Sequence, residues 1–177
     1  MTHQLSAGVI LVLGGARSGK SHFAETLAEG SGLAPVYIAT GQSLDDEMAA
    51  RIVSHQARRN SRWANVEAPF DLAGAIQQED GEGRVLLVDC LTLWVSNLMM
   101  RDADIEAETA RLVAVLLSAK APVVLVSNEV GLGIVPDNAM ARAYRDHAGH
   151  LNQAVAAAAT TVYFIAAGLP LVLKSGG

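Results

Sequence analysis

The stretch that decides the fold is a glycine-rich run near the start of the chain, Gly14-Gly15-Ala16-Arg17-Ser18-Gly19-Lys20-Ser21. It matches the pattern G-x-x-x-x-G-K-[ST] at every fixed position. An apolar run, Val9–Leu13, precedes it, and a run of helix formers, His22–Ala28, follows it. A strand, a glycine-rich loop and a helix in this order predict a phosphate-binding loop (P-loop).

The residue types of this P-loop suit a polyphosphate. Glycines let the backbone curl until several N–H groups point at one anion, and the helix that follows adds the positive end of its dipole. Lys20 is expected to reach the terminal phosphates, and the Ser21 hydroxyl is expected to bind Mg²⁺. The alternative is a glycine turn that only joins strand to helix. The complete strand–motif–helix order favours nucleotide binding over that alternative.

Short apolar strands and helical stretches alternate along the whole chain. The strand runs are continuous in Val, Ile and Leu, which is typical of strands covered on both faces. They are Val9–Leu13, Val36–Thr40, Val85–Asp89, Val123–Ser127 and Thr161–Ala166, with Leu171–Lys174 expected as a short edge strand. Helices are expected at Gly19–Glu29, after Ser43, and at Asp71–Gln78, Leu91–Met100, Asp104–Ala119 and Asn138–Ala159. This alternation predicts an α/β fold with a doubly wound, mainly parallel sheet and helices on both faces, in a single domain spanning residues 1–177.

Composition excludes several classes of protein. The chain has 177 residues, of which 51% are hydrophobic, and a formal net charge of -5. Its basic residues are scattered apart from Arg58, Arg59 and Arg62, which argues against a nucleic-acid partner. The single cysteine, Cys90, excludes an internal disulfide. We see no signal peptide and no apolar run long enough to span a bilayer, so a cytoplasmic protein is expected.

Asp89 is the natural partner of the P-loop. It ends the apolar strand Val85–Asp89, and ligands of open α/β sheets bind at the carboxyl edge where such a residue emerges. A carboxylate there can hold Mg²⁺ together with Ser21. The alternative role for Asp89 is the N-cap of the helix that follows Cys90.

His55 lies close in sequence to three arginines, Arg51, Arg58 and Arg59. A neutral imidazole is a nucleophile, and guanidinium groups could neutralise a phosphate that it attacks. From these residues alone, a solvated surface histidine is the simpler interpretation.

A set of motifs in a fixed order resembles one enzyme family. The pieces are G-G-A-R-S-G-K-S from Gly14, Y-I-A-T from Tyr37, L-D-D-E-M-A-A-R-I from Leu44, His55 with Arg58-Arg59, Trp63 to Glu67, V-D-C-L-T from Val88, S-N-E-V-G-L-G-I-V-P from Ser127, R-D-H-A-G-H-L-N-Q from Arg145 and G-L-P-L-V-L-K from Gly168. From about Val9 to Lys174 the chain resembles the bifunctional adenosylcobinamide kinase / adenosylcobinamide-phosphate guanylyltransferase of cobalamin assembly.

The resemblance implies two reactions, each with a nucleoside triphosphate (ATP or GTP) as co-substrate and Mg²⁺ as cofactor. Adenosylcobinamide is first phosphorylated on its aminopropanol hydroxyl. GMP from GTP is then joined to that phosphate through a histidine–GMP intermediate. The histidine of the family corresponds to His55 in this chain. Two rival functions are a simple P-loop kinase that uses only the γ-phosphate and a nucleotide-gated scaffold without enzymatic activity.

The resemblance also implies the site residues and the assembly. Catalytic roles fall on His55 and Lys20, and a homotrimer is implied. Nucleotide contacts fall on Gly14, Gly15, Ala16, Arg17, Ser18, Gly19, Lys20, Ser21, Ala39, Thr40, Gly41, Gln56, Ala57, Arg58, Arg59, Glu67 and Asp89. We hypothesise that Glu67 accepts hydrogen bonds from the guanine base. Asn60-Ser61 stand where the family often has a proline, which leaves the path of the loop before Trp63 open.

Overall fold

The computed structural model describes residues 8–42 and 61–176. The strands are β1 Val9–Gly14, β2 Ala34–Ala39, β3 Ala64–Glu67, β4 Arg84–Asp89, β5 Val123–Asn128, β6 Thr161–Ala166 and β7 Leu169–Lys174. The helices are α1 Lys20–Gly30, α2 Leu72–Glu79, α3 Leu91–Met99, α4 Ile105–Ser118 and α5 Ala139–Ala158. The helix predicted after Ser43 lies outside the described residues.

One seven-stranded sheet organises the chain, in the order β3-β2-β4-β5-β1-β6-β7. Neighbouring strands pair in parallel from β3 across to β6, and β7 alone runs antiparallel, against β6. The predicted α/β architecture is therefore confirmed. The edge strand β7 begins two residues earlier than the sequence predicted, directly after a tight turn at Ala167 and Gly168, both of which have positive φ.

Strand β1 shows why the central runs are apolar at every position. All six of its residues are buried. Val9, Leu11 and Leu13 pack into the apolar layer on one face of the sheet, while Ile10 and Val12 pack into the layer on the other. Successive side chains point to opposite faces of a strand, so a strand covered on both sides has no position for a polar residue.

Helices cover both faces of this sheet. Helix α1 buries Ala24 and Ala28 against one face. Helices α2 to α5 supply the layer on the opposite face, where Trp94 is fully buried. Asp71, Asp104 and Asn138 cap helices α2, α4 and α5, each accepting a hydrogen bond from the backbone N–H three residues ahead. These caps explain why the three helix starts could be predicted.

Strand β3 was not predicted. It is a four-residue edge strand that, among the described residues, pairs only with β2, and most of its side chains are exposed. An edge strand with one buried side lacks the continuous apolar run by which the inner strands were found. Among the described helices, none combines the length and the apolar character that crossing a membrane requires.

Candidate active site

The P-loop begins at the carboxyl end of β1, an interior strand of the sheet, and two of its glycines have no room for a side chain. A Cβ on Gly14 would lie 2.5 Å from Ser18 Oγ and 2.7 Å from the carbonyl oxygen of Ile165. Gly19 has φ of 95° and packs against Gly168, whose N–H donates to the Ser18 carbonyl over 2.8 Å. Glycine is therefore required at both positions by the curl of the loop.

Lys20 is an unusual residue to bury, and it is only 8% exposed. Its ammonium donates to the Gly15 carbonyl oxygen over 2.9 Å, the one hydrogen bond it makes within the described residues. Burial lowers the pKa of Lys20 below its ordinary value, and the nearby Cys90 and Asp89 side chains oppose that shift. A bound phosphate would supply the negative charge that a buried ammonium needs.

The loop also presents donors without partners. The Ser18 hydroxyl is buried and has no hydrogen-bond partner among the described residues. Helix α1 begins at Lys20 after Gly19, so no side chain caps its first turn. Unsatisfied N–H groups at a helix start, a buried ammonium and a free hydroxyl in one loop form an anion-binding site.

Asp89 ends β4, one strand removed from β1 across β5. Its Oδ2 accepts a hydrogen bond from the Tyr37 phenol over 3.2 Å. The N-cap position of α3 belongs to Cys90, and no side chain caps that helix. The capping alternative for Asp89 therefore does not hold, which leaves its carboxylate at the carboxyl edge of the sheet.

The residues present fit Mg²⁺. Ser21 and Asp89 offer a hydroxyl and a carboxylate oxygen, the hard donors that this ion prefers. Within residues 8–42 and 61–176, no group of three or more His, Cys, Asp or Glu side chains could enclose a metal. A sparse donor set suits Mg²⁺, because this ion usually keeps several waters and takes further oxygens from substrate phosphates.

Three predicted nucleotide contacts lie in one row across the sheet. Ala39 on β2 is in register with both Glu67 on β3 and Asp89 on β4. Glu67 is four strands from Gly14 in the sheet order, a distance of about 19 Å at the usual strand spacing of about 4.8 Å. The structure therefore brings Asp89 close to the P-loop, whereas Glu67 lies towards the far edge of the sheet.

Thr40 and Asn97 hold the strand ends in place. The fully buried Thr40 hydroxyl donates to the Cys90 carbonyl over 2.7 Å and accepts from the Cys90 N–H over 2.8 Å. Asn97, on α3, donates to the carbonyls of Thr40 and Pro69 over 2.7 and 2.9 Å. These bonds fix the chain at the predicted contacts Thr40 and Gly41.

Sequence reasoning missed Tyr37 and Asn97, and both act through contacts between segments distant in the chain. The motif Y-I-A-T contained Tyr37, but nothing local indicates that its phenol meets Asp89. The predicted catalytic residue His55 and the predicted nucleotide contacts Gln56, Ala57, Arg58 and Arg59 lie outside the described residues.

The fold and the phosphate loop define a nucleotide-binding protein of the P-loop NTPase class. A solved structure supports the fold alone: the flagellar accessory protein FlaH from Methanocaldococcus jannaschii is 13% identical, with a TM-score of 0.57, and the match covers 97% of this chain and 80% of FlaH.

The sequence comparisons give the family within that class. The family model of cobinamide kinase / cobinamide phosphate guanyltransferase matches residues 10–173, and the chain belongs to this family. The bifunctional adenosylcobalamin biosynthesis protein CobP of Pseudomonas aeruginosa is 49% identical over 166 residues, covering 93% of this chain and 96% of CobP. The protein CobU of Escherichia coli is 43% identical over 181 residues, covering 94% of this chain and 99% of CobU. The prediction of a bifunctional kinase and guanylyltransferase is thereby confirmed.

Proposed function

We propose that this enzyme carries out its two transfers on adenosylcobinamide in sequence, with His55 as the carrier of GMP. The main support for nucleotide binding is the buried Lys20 ammonium, which lies in a glycine-rich loop and whose pKa is lowered by burial, a shift that the Asp89 carboxylate opposes. Family membership supports the choice of acceptor.

In the first step, the acceptor hydroxyl oxygen forms a bond to the γ-phosphorus of ATP or GTP, and the bond between that phosphorus and the β–γ bridging oxygen breaks. The nucleoside diphosphate leaves, and the hydroxyl proton passes to solvent. Lys20 and the N–H groups of the P-loop hold the phosphates and neutralise the charge that develops on them. Ser21 and Asp89 would hold Mg²⁺, which would supply positive charge to offset the charge on the phosphates.

In the second step, a His55 ring nitrogen attacks the α-phosphorus of GTP and pyrophosphate leaves. The phosphate of adenosylcobinamide phosphate then attacks the same phosphorus, and the bond to His55 breaks. The product is adenosylcobinamide-GDP. A neutral imidazole suits this role because it is a nucleophile near pH 7. Arg58 and Arg59, which follow His55 by three and four residues, would bind the phosphates.

Radiolabelled GTP tests this proposal directly. With label in the α-phosphate, the protein should acquire an acid-labile label that adenosylcobinamide phosphate removes, and His55→Ala should abolish it. His22→Ala serves as the matched control, because His22 is exposed on α1 and should leave labelling unchanged. With label in the γ-phosphate, adenosylcobinamide should acquire the label.

Each rival function gives a different result in the same experiment. A simple kinase would label adenosylcobinamide from the γ-phosphate and never label the protein from the α-phosphate. A nucleotide-gated scaffold would bind GTP and release neither pyrophosphate nor a phosphorylated product. Either pattern would overturn the proposal.

We propose further that the chain assembles as a homotrimer. The edge strand β7 supports this, since each of its six residues is exposed and Leu169, Leu171, Val172 and Leu173 are each more than half exposed. Contiguous apolar surface of this kind commonly marks a protein interface. Light scattering should give three times the mass of one chain, and Leu171→Glu should reduce it. A wild-type monomer at micromolar concentration would contradict the proposal.

A further inference from the structure

The end of β5 occupies the gap between the two halves of the phosphate site. Strand β5 lies between β1, which carries the P-loop, and β4, which carries Asp89. Asn128, the last residue of β5, is in register with Gly14 at the end of β1. The preceding side chain, Ser127, is fully buried and donates to Asn152 Oδ1 over 2.6 Å. Asn128 is therefore the polar side chain of β5 nearest to the phosphate edge of the sheet.

The side chain of Asn128 is held in one orientation. Its Nδ2 donates to Thr92 Oγ1 over 2.7 Å, and its backbone N–H lies 3.4 Å from the same oxygen. Thr92 is 1% exposed, in the first turn of α3. The next N–H, of Glu129, donates to the Gly14 carbonyl over 3.0 Å, which ties this end of β5 to the P-loop.

The Thr92 hydroxyl belongs to a small polar cluster. It lies 3.3 Å from Cys90 Sγ. Cys90 is itself buried. The Tyr144 phenol also forms a hydrogen bond with Thr92. These contacts fix the Thr92 hydroxyl, which in turn holds the Asn128 amide nitrogen.

This arrangement leaves Asn128 Oδ1 as an acceptor without a partner among the described residues. A carbonyl oxygen repels phosphate oxygens but accepts a hydrogen bond from a hydroxyl group. The group that approaches the phosphate chain during the kinase step is the hydroxyl of the acceptor. A polar group fixed by its neighbours in this way can orient such a hydroxyl without any rearrangement.

From this geometry we infer that Asn128 orients the acceptor hydroxyl for attack on the γ-phosphate, with Thr92 as its positioning residue. The inference rests on the proposed kinase step and adds a residue to it. Asn128 Oδ1 accepts a hydrogen bond from the acceptor hydroxyl, which directs a lone pair of the hydroxyl oxygen at phosphorus. It takes no proton, because an amide is not a base at neutral pH, and the proton leaves to solvent as the bond to phosphorus forms.

The test compares the two reactions in the same preparations. Asn128→Ala should lower kcat for phosphorylation of adenosylcobinamide about 10- to 100-fold, since misplacing a reacting group by about 1 Å costs a comparable factor. Its affinity for GTP and its labelling from α-labelled GTP should stay within about threefold of wild type, because neither involves the acceptor hydroxyl. Asn65→Ala, at an exposed asparagine on β3, is the matched control and should leave both rates unchanged.

Thr92 provides a second pair of variants that tests the anchoring. Thr92→Val removes the hydroxyl with little change of volume and should lower the kinase kcat in the same direction. Thr92→Ser keeps the hydroxyl and should restore most of the rate. This pair decides the matter if Asn128→Ala fails to fold.

Two results would overturn the inference. One is a kinase kcat within twofold of wild type in Asn128→Ala, or in Thr92→Val if that is the variant that folds. The other is a parallel loss of kinase rate, labelling and GTP affinity, which would make the role structural. A wild-type protein without kinase activity would overturn the proposed function, and this inference with it.

Discussion

The phenol of Tyr37 on β2 donates a hydrogen bond to Asp89 Oδ2 at the end of the neighbouring strand β4, over 3.2 Å. Tyr37 is only 6% exposed, and its ring also meets Trp63 in an edge-on contact with centroids 6.2 Å apart. A buried, packed phenol has few rotamers available to it. The hydrogen bond therefore fixes the carboxylate that we assign to Mg²⁺.

Tyr37→Phe should weaken the response to Mg²⁺. Removing a group that orients a metal ligand typically lowers metal affinity 10- to 100-fold, and we expect about tenfold here because one carboxylate oxygen loses one partner. The measurement is the Mg²⁺ concentration that gives half-maximal GTP binding. Tyr163→Phe is the control, since the Tyr163 ring packs on Phe23 and not on the metal site. Equal Mg²⁺ dependence in Tyr37→Phe and wild type would contradict this role.

Gly14→Ala should destabilise the protein. The new Cβ would lie 2.7 Å from the backbone carbonyl of Ile165 on β6, the strand that pairs with β1. Overpacking of this kind costs about 1–3 kcal/mol, and we expect the free energy of unfolding in urea to fall by that amount. Because the same shift deforms the P-loop, GTP affinity should fall as well.

Gly149→Ala is the contrasting glycine change. Gly149 lies inside α5, and a Cβ there would meet no atom within 4 Å. Alanine is favoured over glycine in a helix interior by about 0.5–1 kcal/mol, so this variant should be more stable than wild type by that amount. A loss of stability would show that Gly149 is needed for close packing, for example against another subunit.

Glu67→Gln should reduce the preference for GTP over ATP in nucleotide binding. Guanine presents a ring N–H and an amino group that a carboxylate can accept from, and a glutamine amide replaces one acceptor oxygen with a donor. We expect about a tenfold loss in the ratio of GTP to ATP affinity. Glu82→Gln, at another exposed glutamate, is the control. An unchanged ratio in Glu67→Gln would remove this residue from base recognition.

Much of this fold could be predicted because its signals are local. The apolar runs of β1, β4 and β5 and the caps Asp71 and Asp104 are each visible within a few residues. The P-loop could also be predicted locally because its motif is contiguous in the sequence, although Gly14 and Gly19 also contact Ile165 and Gly168, which are distant in the chain.

The remainder of the site depends on pairings that no local pattern reveals. Tyr37 and Asp89 are 52 residues apart in the chain, and Asn97 and Thr40 are 57 apart. Asn128 could be found only after the sheet order placed β5 between β1 and β4. Strand β3 was missed because an exposed edge strand needs few apolar residues.

The most direct test of the whole account is calorimetric titration of the folded protein with GTP in the presence of Mg²⁺. We expect saturable binding to wild type, and binding at least about tenfold weaker to Lys20→Ala, which loses the buried ammonium that we propose binds the phosphates. Lys120→Ala, at an exposed lysine, should bind GTP as wild type does. Unchanged binding in Lys20→Ala, or no binding of GTP or ATP to folded wild type, would contradict the claim that Gly14 to Ser21 hold the nucleotide.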